Sequence, residues 1–345
     1  MKVVAGILIL LLLILTVGGC VAHSEAKGFL DSKADIPNGE VVVEIPKGAT
    51  HKTVADLLAR QGVVRNGKFF YYYLRYLVRF EGMRDIKAGE YLFKSGTTPR
   101  EVAAKLFKGE IHTYKVTIPE GLRYDEIAEI FAARKLADRE RFIELCTDRV
   151  LIKSLGLEAD SLEGYLAPET YTLAKGLPTE QVVRMLHKRF RDVFDRHGLA
   201  LSGKGLSMHQ AVTLASIVEK ETGAPEERPL IAAVFSNRLK KKMRLQTDPT
   251  VIYGILRTKG AFDGNLTRKD LETPTPYNTY TIPGLPPGPI SNPGAAAIEA
   301  VAHPAESDAV FFVSKNNGTH VFCPDYACHL KAVQKWQVEY FNRKK

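Results

Sequence analysis

Between Val3 and Ala22 the chain carries no charged residue, and Ile7–Leu15 is continuously aliphatic. A helix of about twenty residues at about 1.5 Å each spans about 30 Å, the hydrocarbon thickness of a bilayer. Lys2 precedes the run, which favours an amino end kept in the cytoplasm and a body placed beyond the membrane. Residues 1–22 therefore read as a transmembrane signal anchor. Val17-Gly18-Gly19-Cys20 also offers the small residues before a cysteine that a lipoprotein signal needs, and a plain cleaved signal peptide is a third reading. A buried core helix fits poorly, because no polar face interrupts the run.

Residues 23–39 are polar and irregular, and read as a linker. After them the pattern alternates between strand and helix. Val41–Ile45 is β-branched and closes at Pro46-Lys47-Gly48, which predicts a strand and turn. Val54, Leu57 and Leu58 set a helix over 53–61 that ends at Gly62. A second helix carries Phe69, Phe70, Tyr73, Leu74 and Leu77, and 88–93 is a strand. Thr98 as N-cap, Pro99 in the first turn and Glu101 in capping-box position start another helix, which Gly109 stops. Tyr114–Ile118 with Pro119-Glu120-Gly121 repeats the layout of strand, Pro-x-Gly turn and amphipathic helix. Two related small modules are the expectation.

The second half is helix-rich to about Leu256 and loop-rich beyond it. Residues 274–293 hold seven prolines and two glycines beside Tyr277, Asn278, Thr279 and Tyr280. That composition suits a linker, but its place between patterned helices suits a rigid loop lining a groove equally well. A helix over 294–303, a strand over 309–313 and an Asn317-Gly318 hairpin turn before His320 follow. The predicted fold class is α+β, with a larger mixed α/β region after a small module.

Composition narrows the chemistry. The 345 residues suit about two domains, and a net charge of +9 (48 Lys+Arg against 39 Asp+Glu) predicts attraction to polyanions without saying which. Lys240-Lys241-Lys242-Met243-Arg244 is a short patch suited to anionic lipid, peptide stems or glycan carboxylates, and no nucleic-acid partner is expected. Four cysteines are too few for a disulfide scaffold. Cys323 and Cys328 are close enough for a small disulfide loop, leaving Cys146 alone. His320, Cys323, Cys328 and His329 have the residue types for zinc but the spacing of no standard finger, so no metal and no cofactor are expected. No Gly-rich phosphate loop, Walker motif or G-x-S-x-G elbow occurs. Ser216 and Lys220 stand one residue too far apart for S-x-x-K, with Glu219 at the required position.

Carboxylates remain. The helix expected over 208–222 ends in Glu219-Lys220-Glu221. At about 100° per residue, Leu214, Ile217, Val218 and Glu221 share one broad stripe, while Glu219 lies at the other border with Val212 and Ala215. A carboxyl beside an apolar face is partly desolvated, which raises its pKa and suits it to general-acid work. Periodicity does not choose between the two glutamates.

Six blocks in order over about 160–295 carry a family resemblance. They are Leu162–Tyr171 (Leu-Glu-Gly-Tyr-Leu-Ala-Pro-Glu-Thr-Tyr), Ala215–Thr222, Val234–Leu239, Met243–Val251, Pro276–Tyr280 and Gly284–Gly294. Together they resemble the endolytic murein (peptidoglycan) transglycosylases, the membrane-bound lytic murein transglycosylase G family, and residues 40–112 resemble that family's LysM-like portion. Ala167, Glu169 and Cys20 depart from its commoner residues. The resemblance implies a catalytic region over 113–345, placed outside the inner membrane on a single anchor. It implies cleavage of MurNAc–GlcNAc bonds within glycan strands to give 1,6-anhydroMurNAc ends, on nascent strands during wall assembly and beside peptidoglycan synthases. It also picks Glu219 as the catalytic acid and base. Tyr165, Tyr277 and Tyr280 are then candidates to stack on sugars, and Asn237, Gln246 and Asn278 to bind N-acetyl groups. Asp248 and Glu169 are candidates to stabilise positive charge. A non-catalytic peptidoglycan-binding protein and a hydrolytic muramidase are the alternatives.

Overall fold

The computed structural model describes residues 16–19, 21 and 23–342. The expected anchor lies for the most part outside them. Among the described residues no helix is long and apolar enough to cross a membrane. The chain divides into two compact units. One runs to Tyr114 and adds Thr172–Gly176; the other comprises Lys115–Tyr171 and everything from Leu177 onward.

In the first unit, strand β1 (Glu40–Ile45) pairs antiparallel with β2 (Gly89–Lys94), with Val43 opposite Tyr91 and Val41 opposite Phe93. Helices α1 (His51–Arg60) and α2 (Gly67–Phe80) connect them, and α3 (Pro99–Lys108) follows. Thr98 and Glu101 close a capping box with Pro99 in the first turn, and Gly109, at φ 68°, ends α3 in the left-handed conformation that favours glycine. Val43, Ile45, Leu58, Phe70, Leu74, Tyr91, Phe93 and Leu106 form one core.

The segment read as a linker departs from that expectation. Residues 23–30 are helical, and Ala34 and Ile36 are each only 5% exposed. The backbone accounts for this: Ala34 N–H donates to Thr97 O at 2.9 Å, Gly96 N–H donates to Ala34 O at 2.8 Å, and Ile36 N–H donates to Ser95 Oγ at 3.0 Å. Two apolar side chains in a polar stretch are enough to seat it.

In the second unit, β3 (Tyr114–Thr117) leads through Gly121, at φ 75°, into α4 (Tyr124–Ala133). Short helices α5 (Arg139–Thr147) and α6 (Arg149–Ser154) precede β4 (Thr170–Leu173), whose last two residues belong to the first unit. Then come α7 (Thr179–Phe194), α8 (Gly198–Gly203), α9 (Met208–Glu221), α10 (Arg228–Lys240), α11 (Asp248–Lys259), α12 (Arg268–Glu272) and α13 (Ala295–Ala302). The hairpin β5 (Phe311–Ser314) and β6 (His320–Cys323) is followed by α14 (Tyr326–Val333).

Helix α9 is the axis of this unit. Ser207 caps it in a capping box with Gln210, and all eight residues from Ala211 to Val218 are buried. A helix apolar on every side must be surrounded. The Pro/Gly-rich stretch supplies one of its walls: Ile290 N–H donates to Ser216 Oγ at 3.0 Å, and His209 Nε2 lies 2.6 Å from Pro287 O. The stretch is thus a fixed loop laid along α9, not a free linker.

Candidate active site

Two carboxyl groups leave the last turn of α9 in different directions, and their surroundings differ. Glu219 has a side chain 6% exposed, and both its oxygens are taken. Arg228 Nη2 donates to Oε1 at 3.0 Å, and Gly294 N–H, at the amino end of α13, donates to Oε2 at 2.9 Å. The same Arg228 Nη2 reaches Glu120 at 3.2 Å. Glu120 has its pKa raised by burial and by the neighbouring Glu219, against Arg228. A carboxylate held by a guanidinium and a helix terminus is well suited to fix structure.

Glu221 faces a cavity of about 420 Å³ that it lines together with Arg238, Gln246, Asp248, Tyr280, Phe311, Tyr326 and His329. Burial pushes its pKa up to about 6; the Thr247 hydroxyl donating to Oε1 opposes that rise, and Asp248 reinforces it. Burial disfavours the charged form, so this carboxyl keeps a proton further toward neutral pH than an exposed one. Thr247 is set in turn by Thr279, whose Oγ1 accepts from Thr247 N–H at 3.1 Å and lies 2.8 Å from Thr250 Oγ1.

The rest of the wall is built to stay in place. Tyr280 OH donates to Asp248 Oδ1 at 2.7 Å. Arg238, 7% exposed, donates to Val310 O at 2.6 Å and Leu245 O at 2.7 Å, and lies 5.2 Å from the centre of the Phe311 ring. Gln246 holds φ 49°, a left-handed conformation that costs a non-glycine residue energy and tends to collect at functional sites. Its N–H donates to Thr279 O at 3.2 Å. A larger cavity of about 630 Å³ opens beside Arg149, Lys153, Asp160, His209 and Pro287. Its ionic groups are exposed, with Arg149 and Asp160 3.6 Å apart at side-chain exposures of 81% and 96%. No buried acid is among its lining residues.

The candidate binding residues divide. Gln246, Asp248 and Tyr280 meet in the cavity with Glu221. Tyr165 does not stack on anything external: it is 1% exposed, its hydroxyl is 2.7 Å from His209 Nδ1, and it packs edge-on to Phe190. Asn278 is fully buried, and its Nδ2 donates to the Leu271 and Thr273 carbonyls at 3.0 and 2.7 Å, closing the end of α12. Asn237 donates to the Ser307 and Ala309 carbonyls at 2.8 and 3.0 Å. Glu169 pairs with Arg189, and Tyr277 packs edge-on to Tyr253 at 4.7 Å. In each of these five, an amide, ring or carboxylate needed to join loops has its polar atoms or faces engaged by the protein itself.

The carboxyl-terminal cysteines form a disulfide, Cys323–Cys328. With both thiols oxidised and His320 Nδ1 2.7 Å from Glu227 Oε2, the zinc arrangement does not form. The bridge instead ties β6 to α14, which carries Tyr326 and His329 into the cavity wall.

Residues 43–335 match the YceG-like family. The chain belongs to that family. This YceG-like chain is 31% identical over 338 residues to the endolytic murein transglycosylase of Bacillus subtilis (strain 168), covering 93% of itself and 91% of that protein. To the endolytic murein transglycosylase of Streptococcus pneumoniae serotype 2 it is 28% identical over 305 residues, covering 79% of itself and 54% of the relative, about half its length. A crystal structure of a yceG-like protein from Listeria monocytogenes shares the fold, with a TM-score of 0.58 and 32% identity over 85% of this chain and 99% of that one.

Arg238, Phe311 and Tyr326 of the YceG-like cavity, and Thr247, which bonds Glu221 beside it, were not singled out by the sequence pattern. Thr247 and Arg238 lie inside quoted blocks, each next to a residue chosen as a candidate, so the blocks pointed to the region and missed the side chains. Phe311, Tyr326 and His329 arrive from the last hairpin and helix. Their traces in the chain are the strand expected over 309–313, the pair of cysteines that brings β6 and α14 together, and His329 itself, weighed there as a zinc ligand.

Proposed function

We propose that this chain is an endolytic lytic transglycosylase acting on peptidoglycan glycan strands, with Glu221 in place of Glu219 as general acid and then base. The names of the Bacillus and Streptococcus relatives support the reaction class. The observation that carries the assignment is a buried carboxyl, its pKa near 6, on the wall of a cavity that also holds Gln246, Asp248 and Tyr280.

Glycoside cleavage commonly uses two carboxylates, but an internal nucleophile lets one suffice. Protonated Glu221 gives its proton to the glycosidic oxygen as the C1–O bond to GlcNAc breaks. The resulting carboxylate takes the proton of the C6 hydroxyl of the same MurNAc, whose oxygen closes on C1. The products are a free GlcNAc 4-hydroxyl and a 1,6-anhydroMurNAc end, and the carboxyl is restored without water. The intramolecular attack has a high effective molarity, so the protein supplies proton transfer and orientation. In this reading Asp248 stabilises the positive sugar ring, Gln246 binds an N-acetyl group and Tyr280 lies against a sugar face.

Asp248 gives a second reading some weight. Two carboxyl groups in one cavity also suit a hydrolytic muramidase. Mass spectrometry of fragments from purified sacculi separates the two: the proposed reaction leaves ends one water lighter than hydrolysis does. Hydrated ends from the wild type would overturn the lytic reading, and a wild type that releases nothing would point to a binding protein. We further propose that residues 3–22 tether the chain with its body outside the cytoplasm, that residues 40–112 form a LysM-like glycan-holding module, and that synthases of nascent strands are its partners.

A further inference from the structure

Helix α2 presents an outer face that its own unit leaves largely exposed. Phe70, Leu74 and Leu77 enter the core, whereas Phe69, Tyr72, Tyr76 and Phe80 are 45%, 54%, 50% and 73% exposed. At about 100° per residue these four fall within about 80° of arc, and Lys68, Arg75 and Arg79 form a row directly beside them. The helix contains no acidic residue. The rings are ordered among themselves: Tyr76 and Phe80 are 5.3 Å apart, and the Arg79 guanidinium lies 5.9 Å from the Phe80 ring centre. Arg65, Arg84 and Lys87 add positive charge at the two ends, against Glu81 and Asp85. Four large exposed rings in one stripe form the kind of apolar patch that marks an interaction surface.

The chain itself indicates what lies opposite. The apolar run ends at residue 22, residues 23–30 are helical, and the Phe29 ring sits 5.6 Å from Phe69. Seven helical residues cover about 10 Å, comparable to the headgroup layer of a bilayer. The aromatic stripe therefore starts about one headgroup depth from the end of the proposed span. Aromatic rings flanked by Arg and Lys are the composition that settles at membrane interfaces, where rings enter the acyl boundary and cations meet lipid phosphates.

We propose that α2 docks flat on the anionic lipid surface in which the chain is anchored, with Phe69, Tyr72, Tyr76 and Phe80 at the acyl boundary and Lys68, Arg75 and Arg79 on headgroup phosphates. The inference rests on the anchor reading of residues 3–22. It makes the first unit a membrane-bound platform, not a module free to swing on its tether.

The full chain carrying Tyr76→Trp, reconstituted in phosphatidylglycerol–phosphatidylcholine vesicles, tests it. The expected result is a blue-shifted emission quenched by brominated lipid beyond the level of the parental chain, whose only tryptophan is Trp336. The shift and the quenching should be lost when Lys68, Arg75 and Arg79 are all changed to Glu, while the chain still floats with the vesicles. A reporter that brominated lipid leaves unchanged in a chain that floats overturns the docking and leaves the anchor standing. A wild type that does not float overturns both. Quenching that survives the triple change, or that persists in pure phosphatidylcholine, overturns the anionic surface as the partner. Cross-linking between two copies through position 76 without quenching assigns the stripe to a second copy instead.

Discussion

Glu219→Gln and Glu221→Gln are nearly isosteric changes two residues apart on one helix, and they are expected to fail in opposite ways. At Glu219 the substitution puts an amide donor where Arg228 or the Gly294 N–H now donates. Breaking a buried ion pair costs about 3–5 kcal/mol. Side-chain exposures of 6% and 15% make this pair buried, but Glu120 stays 3.2 Å from the same nitrogen and keeps the loss near the lower end, about 2–3 kcal/mol. For a unit of this size that lowers Tm by about 5–10 °C. At Glu221 the sign reverses. The folded state holds the acid at about 6 against an ordinary 4.5, so it binds the proton more tightly than the unfolded chain does. Stability is then greatest below 4.5 and is lost as pH rises toward 6, by about 2 kcal/mol in total. A neutral glutamine removes that loss. Glu221→Gln should therefore be more stable than wild type by only about 1 kcal/mol at pH 5 and by about 2 kcal/mol at pH 7.5, and slower by about 10²–10⁴ in releasing anhydro ends.

Calorimetry at the two pH values, together with fragment release from purified sacculi, measures all of these quantities on the same two proteins. The reasoning is refuted if Glu221→Gln still cuts while Glu219→Gln keeps the wild-type Tm and does not cut. That result would return the acid–base role to Glu219.

Because the acid must be protonated to act, kcat/KM on a soluble glycan should fall as pH rises through about 6, and Thr247→Val, by deleting a donor that favours the carboxylate, should move that fall to higher pH. An unmoved limb would separate the rate from Glu221. Gly164→Ala should lower stability by about 2–4 kcal/mol in denaturant titration, since φ is 86° there and an added Cβ would stand 2.5 Å from Pro289 Cβ and 2.8 Å from Val212 Cγ1. Cys328→Ser should cost about 2 kcal/mol and raise KM more than it lowers kcat, because the bridge holds α14, with Tyr326 and His329, against the cavity but touches no reacting group. Equal changes in the two constants would speak against that role.

Local rules made much of the first unit readable. Thr98-Pro99-Arg100-Glu101 announces a helix start through three independent signals, and Gly109 its stop; the structure has both. The β-branched run Val41-Val42-Val43 with Ile45 was enough to place β1. The segment 23–39 was misjudged because its seating depends on Ala34 and Ile36, two apolar side chains whose partners at Gly96, Thr97 and Ser95 lie about sixty residues away. The same limit governed the site. Gln246, Asp248 and Tyr280 share one cavity, although Tyr280 bonds Asp248 from 32 residues away. Tyr165 and Asn237 resemble them in type, yet their partners lie 44 and 70–72 residues away, whereas Asn278 is taken up by carbonyls five to eight residues before it. Buried polar groups must find hydrogen bonds, and in a long chain that requirement absorbs many of the residues that look made for a ligand.

The choice between Glu219 and Glu221 shows why periodicity stopped short. An amphipathic helix has one apolar face, and the carboxyl nearest that face is the desolvated one. Helix α9 is buried through Ala211–Val218 on every side, so either flank of its last turn can desolvate an acid. Two residues are about 200° apart, and the two glutamates therefore enter different surroundings. What separates them is how their oxygens are engaged, since Arg238 stands in the cavity with Glu221 as well. Arg228 and the amino end of α13 take both oxygens of Glu219, whereas Glu221 receives a threonine hydroxyl and faces open space. Arg228 begins α10 seven residues after Glu221, and Gly294 lies more than seventy residues away. The different surroundings of the two glutamates are set by tertiary neighbours that no reading of the Glu-Lys-Glu triplet contains.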